Sequence, residues 1–178
     1  MIYANTVLIP TNYWDGHHTL DLEIPWITPE AIHSLFFYLK PYHTVLEFGS
    51  GGSTLFFSKR GKRVLSFETQ DQWHGKMVEK LKAPQWANVE LHLVKSIKEC
   101  SDIIKERKFN VILIDACEIN RYDLAEMSRK MIISGGIIIV DNYKAPYCFD
   151  LEKLFTDCKQ TGYDDSHWAG SGTKIFYM

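Results

Sequence analysis

The sequence predicts an α/β fold, a single doubly wound domain built on a mostly parallel sheet. Three observations carry this. Short apolar runs alternate with helical stretches from about residue 44 onward. Runs such as Phe109 to Ile114 and Ile137 to Val140 are apolar on both faces, as strands covered by helices on either side must be. A glycine cluster follows the first run directly, at a strand-to-helix turn. The 178 residues suit one domain of ordinary size, long enough to bury a full core.

The elements follow in chain order. Residues 1–27 are aromatic and irregular and read as an N-terminal arm or lid ahead of a domain spanning 28–178. Thr28-Pro29-Glu30 opens a helix that runs to about Leu39, with Thr at the N-cap and Pro in the first turn. Thr44 to Phe48 is a strand that stops at the glycines, and a helix follows them. Arg63 to Phe67 is the next strand, followed by a helix from Gln70 to Lys82. Asn88 to Val94 alternates, with Val89, Leu91 and Leu93 on one side, and Phe109 to Ile114 is a buried strand. Tyr122 to Ile133 reads as a helix with Leu124, Met127, Met131 and Ile132 on one stripe, and Gly135-Gly136 reads as its stop. Ile137 to Val140 is a strand, and Leu151 to Thr161 a helix ended by Gly162. Tyr163 to Trp168 and Thr173 to Tyr177 close the chain as strands. Ala169-Gly170-Ser171-Gly172 between them suits a turn, so this pair is expected to be antiparallel. No repeat and no linker interrupts the series.

Composition narrows the function. With 46% hydrophobic and 24% charged residues the chain is not disordered or of low complexity. Twenty Lys and Arg against 22 Asp and Glu give a formal charge of −2, with no basic run, so a nucleic-acid partner is not expected. No apolar stretch reaches the roughly 18 residues of a membrane span, and the start of the chain does not read as a signal peptide. Cys100, Cys117, Cys148 and Cys158 form neither a C-x-x-C pair nor a zinc pattern. They read as free thiols in a reducing compartment, and the expected location is cytoplasmic.

The strongest chemical signal is Val45-Leu46-Glu47-Phe48-Gly49-Ser50-Gly51-Gly52-Ser53-Thr54. A glycine loop between strand and helix lets ligand atoms approach the backbone and places them at a helix N-terminus. A dinucleotide fingerprint, G-x-G-x-x-G, would have glycine where Thr54 stands, which weakens a nicotinamide reading. Glu47-Phe48-Gly49-Ser50-Gly51 instead fits acid-x-Gly-x-Gly, with a carboxylate closing the strand. That carboxylate suits a cationic ligand such as S-adenosylmethionine (SAM), which carries an ammonium and a sulfonium. Glu68 ends the next strand nineteen positions after Gly49, near the roughly 20 expected of an acid that holds ribose hydroxyls.

These segments, with Val111 to Asp115 and Ser134 to Tyr143, resemble the successive motifs of class I SAM-dependent methyltransferases. The likeness covers about residues 28 to 178, and Lys174 to Tyr177 matches the family's reversed last strand. It implies a seven-stranded Rossmann-like sheet, mostly parallel with an antiparallel last strand, with SAM across the carboxyl ends of the first strands. Glu47, Gly49, Ser50, Gly51 and Ser53 would hold its methionine end, Glu68 its ribose, and Asp115 would face the reaction centre. Ser53 stands where many members carry a third glycine.

Asp115, Asp141 and Asn142 end neighbouring strands and are hard oxygen ligands of the kind Mg²⁺ accepts. Their spacing, with Arg121-Tyr122, resembles the metal-dependent catechol-type O-methyltransferases. The lysine base of those enzymes is missing after Asp115, where Ala116, Cys117 and Glu118 stand, and Lys144 is the substitute candidate. The alternative is that Asp115 positions SAM or the acceptor without metal and Asp141 caps a helix or orders a loop. Asn12 to His18, with Tyr13, Trp14, His17 and His18, form a candidate lid or a packed arm. His167 and Trp168 would reach the rim from a parallel sixth strand, and Trp73 would pack beside the adenine or in the core.

The expectation is therefore a SAM-dependent methyltransferase acting on a hydroxyl oxygen of a small molecule. The implied partners are that small-molecule acceptor, no nucleic acid and no membrane, and a homo-oligomer is compatible. A non-catalytic SAM- or nucleotide-binding module working through a protein partner is the first alternative, and a nicotinamide-dependent oxidoreductase the second. Nucleic-acid methylation lacks its acceptor motif, since Asp141-Asn142-Tyr143-Lys144 has no proline pair.

Overall fold

The computed structural model describes residue 9 and residues 19–116, 119–144, 151–164 and 171–178. In chain order the elements are α1 (Thr19–Leu22), α2 (Pro29–Tyr38), β1 (Thr44–Phe48), α3 (Gly52–Ser58), β2 (Arg63–Glu68), α4 (Asp71–Leu81), β3 (Val89–Leu93), α5 (Ile97–Ile104), β4 (Phe109–Ile114), α6 (Arg121–Arg129), β5 (Ile132–Asp141), α7 (Leu151–Leu154), β6 (Lys159–Asp164) and β7 (Gly172–Tyr177). The strands form one seven-stranded sheet in the order β3-β2-β1-β4-β5-β7-β6. The first five run parallel, and β7 lies antiparallel between β5 and β6. The order reverses between β1 and β4, which opens a crevice at their carboxyl ends.

Alternation sends neighbouring residues to opposite faces. Leu46, Phe48, Leu65, Phe67, Ile112 and Ile114 pack on the side of α5 to α7, with Ile104, Leu124 and Phe155. Val45, Val64, Val111, Leu113, Ile139 and Ile175 pack on the side of α2 and α3, with Ile32, Leu35 and Phe56. Burying one such side chain stabilises the fold by about 1.5–3 kcal/mol, so two cores back to back hold the sheet between its helices. Ile24 and Ile27 join the second core, which ties residues 19–27 to the body of the domain. Among the described residues no helix is long and apolar enough to cross a membrane.

Most elements lie where the sequence predicts them. However, α1 falls in the stretch read as irregular, β6 starts at Lys159 where the sequence predicts a strand from Tyr163, and three further elements differ. The helix predicted to end at Ile133 stops at Arg129, and Gly135-Gly136 lie inside β5. Pairing jumps from Phe109↔Ile132 to Val111↔Ile137, so β5 carries an irregularity there. Gly135 takes φ +78, and a Cβ on Gly136 would sit 2.7 Å from Ile132 Cδ1. The glycines are thus required by a bulge and not by a helix end. The helix predicted over 151–161 shrinks to four residues, because Lys159–Asp164 pairs residue for residue with β7 and long-range pairing overrides local propensity. The third difference is α5, absent from the sequence reading. Its N-cap Ser96 accepts the Glu99 N–H at 3.3 Å, and Glu99 Oε2 accepts the Lys95 N–H at 3.0 Å. The S-x-x-E spacing of Ser96 and Glu99 was the available signal.

The two ends of the sheet differ in charge. Lys40, Lys59, Lys62, Lys105, Lys108 and Lys130 follow helix C-termini at the strands' starting edge, where cations complement the helix dipole. Carboxylates collect at the other edge.

Candidate active site

Glu47, Glu68, Asp115 and Asp141 lie at or just beside the carboxyl ends of β1, β2, β4 and β5 on the same face, the one that α2 and α3 cover. Period two along each strand puts them there together. Glu47 is fully buried. Its Oε2 accepts the hydroxyls of Thr54 and Ser66, each at 2.6 Å, while Oε1 has no hydrogen-bond partner. Burial lifts its pKa from the ordinary carboxylate range to about 7, against the pull of the surrounding hydroxyls of Ser53, Ser66 and Thr54.

The loop after β1 is shaped by three glycines with separate causes. Gly49 takes φ +99, and a Cβ there would lie 2.8 Å from the Asp115 carbonyl oxygen. Gly52, first residue of α3, runs under the N-terminal segment, and a Cβ would lie 2.2 Å and 2.3 Å from the carbonyl oxygens of Thr19 and Ile24. Gly51 is different, since a Cβ there would meet only the Trp73 indole at 3.9 Å. Thr54 reaches back to accept the Gly51 N–H at 2.9 Å, and Trp73 Nε1 donates to the Ser50 carbonyl at 2.5 Å. Trp73, half-buried beside the Leu55, Met77 and Trp86 cluster, thus braces the loop from the α4 side. Ser53 is buried in the first turn of α3.

Glu68 accepts the Ser50 N–H and hydroxyl on Oε2, at 3.1 and 2.8 Å, and the N–H groups of Thr69 and Gln70 on Oε1, at 2.7 and 2.9 Å. It therefore binds the glycine loop directly, from the end of the neighbouring strand β2.

Asp115 lies one residue beyond β4, its side chain 30% exposed. Arg121, 3% exposed at the start of α6, donates from Nη2 to Asp115 Oδ1 at 3.0 Å and from Nε to the Ala116 carbonyl at 3.1 Å. Nη1 donates to the Asp141 carbonyl. Asp141 Oδ1 accepts the Thr173 hydroxyl at 2.7 Å, and Thr173 Oγ1 accepts the Thr28 N–H at 3.0 Å. Burial raises the pKa of both aspartates. The Asp115 charge raises Asp141 further, and Arg121 lowers each in part.

The metal expectation does not fit this arrangement. The charge beside Asp115 is already balanced by Arg121, and Asn142 Oδ1 accepts the Ser171 hydroxyl, its own backbone at φ +51. Among the described residues no group of three or more His, Cys, Asp or Glu is placed to hold a metal ion. Lys144 pairs with Asp164 Oδ1 at 2.7 Å, which raises its pKa and keeps it an ammonium, the wrong form for a base. Asn12 to His18, Cys117, Glu118, Cys148, His167 and Trp168 lie outside the described residues. A shallow cavity of about 310 Å³ lined by Phe36, Leu39, Pro41, Lys59, Arg60 and Gly61 sits at the opposite edge of the sheet and bears on none of this chemistry.

Three contributors escaped the sequence reading. Arg121 appeared there only as part of a likeness, although a lone cation six residues after Asp115 was a signal. Ser66 was hidden as one residue of a buried strand. Thr173 meets Asp141 across 32 positions, and nothing local marks it.

No protein-family model matches the sequence, and no curated protein matches it. Solved structures do match. The O-methyltransferase TomG from Streptomyces achromogenes, involved in tomaymycin synthesis and solved in complex with SAM, superposes with a TM-score of 0.68 at 14% identity, over 97% of this chain and 92% of that one. An rRNA methylase from Streptococcus thermophilus gives 0.64 at 16% identity, over 96% and 98%. Aeropyrum pernix fibrillarin with natively bound SAM gives 0.62 at 12% identity, over 79% and 68%. The chain has the Rossmann-like fold of the class I SAM-dependent methyltransferases. Its seven strands, with the reversed β7, are the arrangement that the sequence motifs imply.

Proposed function

We propose that the protein transfers a methyl group from SAM to a hydroxyl oxygen of a small molecule. The observation that carries this is the row of carboxylates Glu47, Glu68 and Asp115 around the glycine loop, at the point where the strand order reverses. SAM supplies a methyl carbon activated by its sulfonium. The residues present fit it. Glu47 Oε1 is a buried acceptor with no donor, suited to an ammonium, and Gly51 leaves its Cα side open except for the Trp73 indole. Glu47 and the loop Gly49 to Ser53 would hold the methionine end, and Glu68 would hold the ribose hydroxyls. Asp115, locked by Arg121, faces the reaction centre.

Methyl transfer is an in-line displacement, so the chain's main work is alignment, with deprotonation of the acceptor added. Asp141 is the proton acceptor in this reading. Thr173 fixes its orientation through Oδ1, and burial beside Asp115 pushes its pKa up to about 8, so it is a strong proton acceptor once ionised, on the alkaline side of neutral. The net charge of −2 and the lack of a basic run argue for a small acceptor over a polyanion.

The test is thermal unfolding with and without S-adenosylhomocysteine, followed by SAM turnover with small hydroxyl compounds and with RNA. Ligand at about 100 times its dissociation constant adds about 2.7 kcal/mol, a shift of about 5–10 °C for a domain of this size. A shift in the wild type that disappears in Glu68→Ala is the expected result. No shift at saturation overturns the cofactor assignment. Binding without turnover of any acceptor leaves a SAM-binding module, and turnover with RNA alone replaces the small-molecule acceptor.

A further inference from the structure

The Glu68 carboxylate is satisfied entirely by its own chain. A carboxylate offers about four acceptor positions. Two on Oε1 are filled by the N–H groups of Thr69 and Gln70, and two on Oε2 by the N–H and hydroxyl of Ser50. Nothing remains for the two hydroxyls of a ribose.

The four donors differ in how easily they leave. Thr69 and Gln70 follow Glu68 directly and lead into α4, with Gln70 at its N-cap, so their N–H groups are fixed by the chain path. The Ser50 backbone is braced by Trp73 Nε1 on its carbonyl. The Ser50 hydroxyl is held by neither. It is released by rotation about one bond, on a residue flanked by Gly49 and Gly51.

Resting on the cofactor assignment above, we infer that the Ser50 hydroxyl takes the acceptor position on Glu68 that the ribose diol of the cofactor requires, so that Ser50 competes with the cofactor and sets its affinity. In the ligand-free protein the hydroxyl keeps a buried carboxylate hydrogen-bonded. When the cofactor seats, a ribose O–H replaces it, one hydrogen bond for another. Ser50 is thus a positioning residue that acts through Glu68. Its hydroxyl lowers affinity, while its backbone stays part of the loop that would hold the methionine end.

Isothermal titration with S-adenosylhomocysteine tests this on the wild type, Ser50→Ala, Ser50→Cys, Glu68→Gln and the Ser50→Ala/Glu68→Gln double variant. Ser50→Ala is expected to bind about tenfold more tightly, because a hydrogen bond to a charged acceptor no longer has to be exchanged. Ser50→Cys keeps the side-chain shape, slightly enlarged, with a weak donor and is expected to fall between the two. It also serves if the alanine variant folds poorly. In the Glu68→Gln background the gain from Ser50→Ala is expected to shrink, as a double-mutant cycle requires of coupled groups. The preference for adenosine over 2′,3′-dideoxyadenosine should widen in Ser50→Ala. A wild type that binds while both Ser50 variants bind equally or more weakly overturns the inference and leaves the cofactor assignment standing. A gain that persists in full without Glu68 overturns it too. A wild type that does not bind at all overturns the cofactor assignment, and the Ser50 inference with it.

Discussion

Arg121 donates from Nη2 to Asp115 Oδ1 at 3.0 Å, and the same guanidinium holds the carbonyls of Ala116 and Asp141, so one side chain clamps the ends of β4 and β5. It is also the cation beside both aspartates of the site.

Removing it leaves a carboxylate and two carbonyls without their donor. Arg121→Ala is expected to destabilise the fold by about 2–4 kcal/mol, somewhat below the about 3–5 kcal/mol of a fully buried pair because Asp115 is 30% exposed. Arg121→Lys should recover little, since an ammonium cannot span three acceptors in a plane. Urea denaturation measures both, and a loss under 1 kcal/mol for the alanine variant would show that the clamp does not hold the strand ends.

Glu47 should oppose stability as pH rises. Its folded pKa, about 7, lies above the model-compound value of 4.5, so the folded state holds the proton more tightly than the unfolded chain. Its contribution is most favourable below 4.5 and declines between 4.5 and about 7, on the order of 3 kcal/mol in all. Glu47→Gln removes that decline. Denaturation at pH 5 and pH 8 should find the variant gaining on the wild type at pH 8, while its affinity for S-adenosylhomocysteine falls. Equal pH dependence in the two proteins would place the titration elsewhere.

Gly51 and Gly52 are neighbours with opposite expectations. Gly51→Ala meets only the Trp73 ring at 3.9 Å, so stability should change by less than about 1 kcal/mol while cofactor affinity drops. Gly52→Ala drives a methyl group into two carbonyl oxygens and should destabilise by about 1–3 kcal/mol or more. Melting temperature and titration together separate the two effects, and a Gly51→Ala protein with normal affinity would remove the loop from the ligand site.

Asp141 is the base in the function proposed above, and Lys144, the base candidate from the sequence, is paired with Asp164. Asp141→Asn should lower turnover by about 100-fold or more. Asp115 and Asp141 interact, so the acid limb of the rate profile reports the pair, and it should lie above the ordinary carboxylate range. Lys144→Met breaks an ion pair at the rim and should change turnover by no more than about twofold. The reverse ranking would restore the lysine as base.

The sequence spoke most clearly where one local pattern determined the outcome. β1, β4 and α4 were legible because burial on two faces and helical periodicity leave few options. The same holds for the acids at strand ends, since strand plus parity predicts both edge and face. Gly135-Gly136 misled because a glycine pair signals a helix stop and a bulge equally well, and only the partner strand decides. β6 was concealed for the same reason, its extent being set by β7. At the site, Glu47 and Glu68 were legible as acids, but Ser66, Thr54 and Ser50 as their donors were not. Those pairings arise where separate segments meet, and no spacing rule records them.

The lysines behind the helices and the carboxylates before the crevice give the molecule two poles. With a net charge of only −2, its field at a distance owes much to that separation. That separation is expected to draw a diffusing cation toward the crevice. SAM carries one net positive charge and S-adenosylhomocysteine none. The charged cofactor should arrive faster than its spent form, by a margin that shrinks as salt is added. Charge polarity of this kind would favour reloading over product rebinding through arrival rate alone.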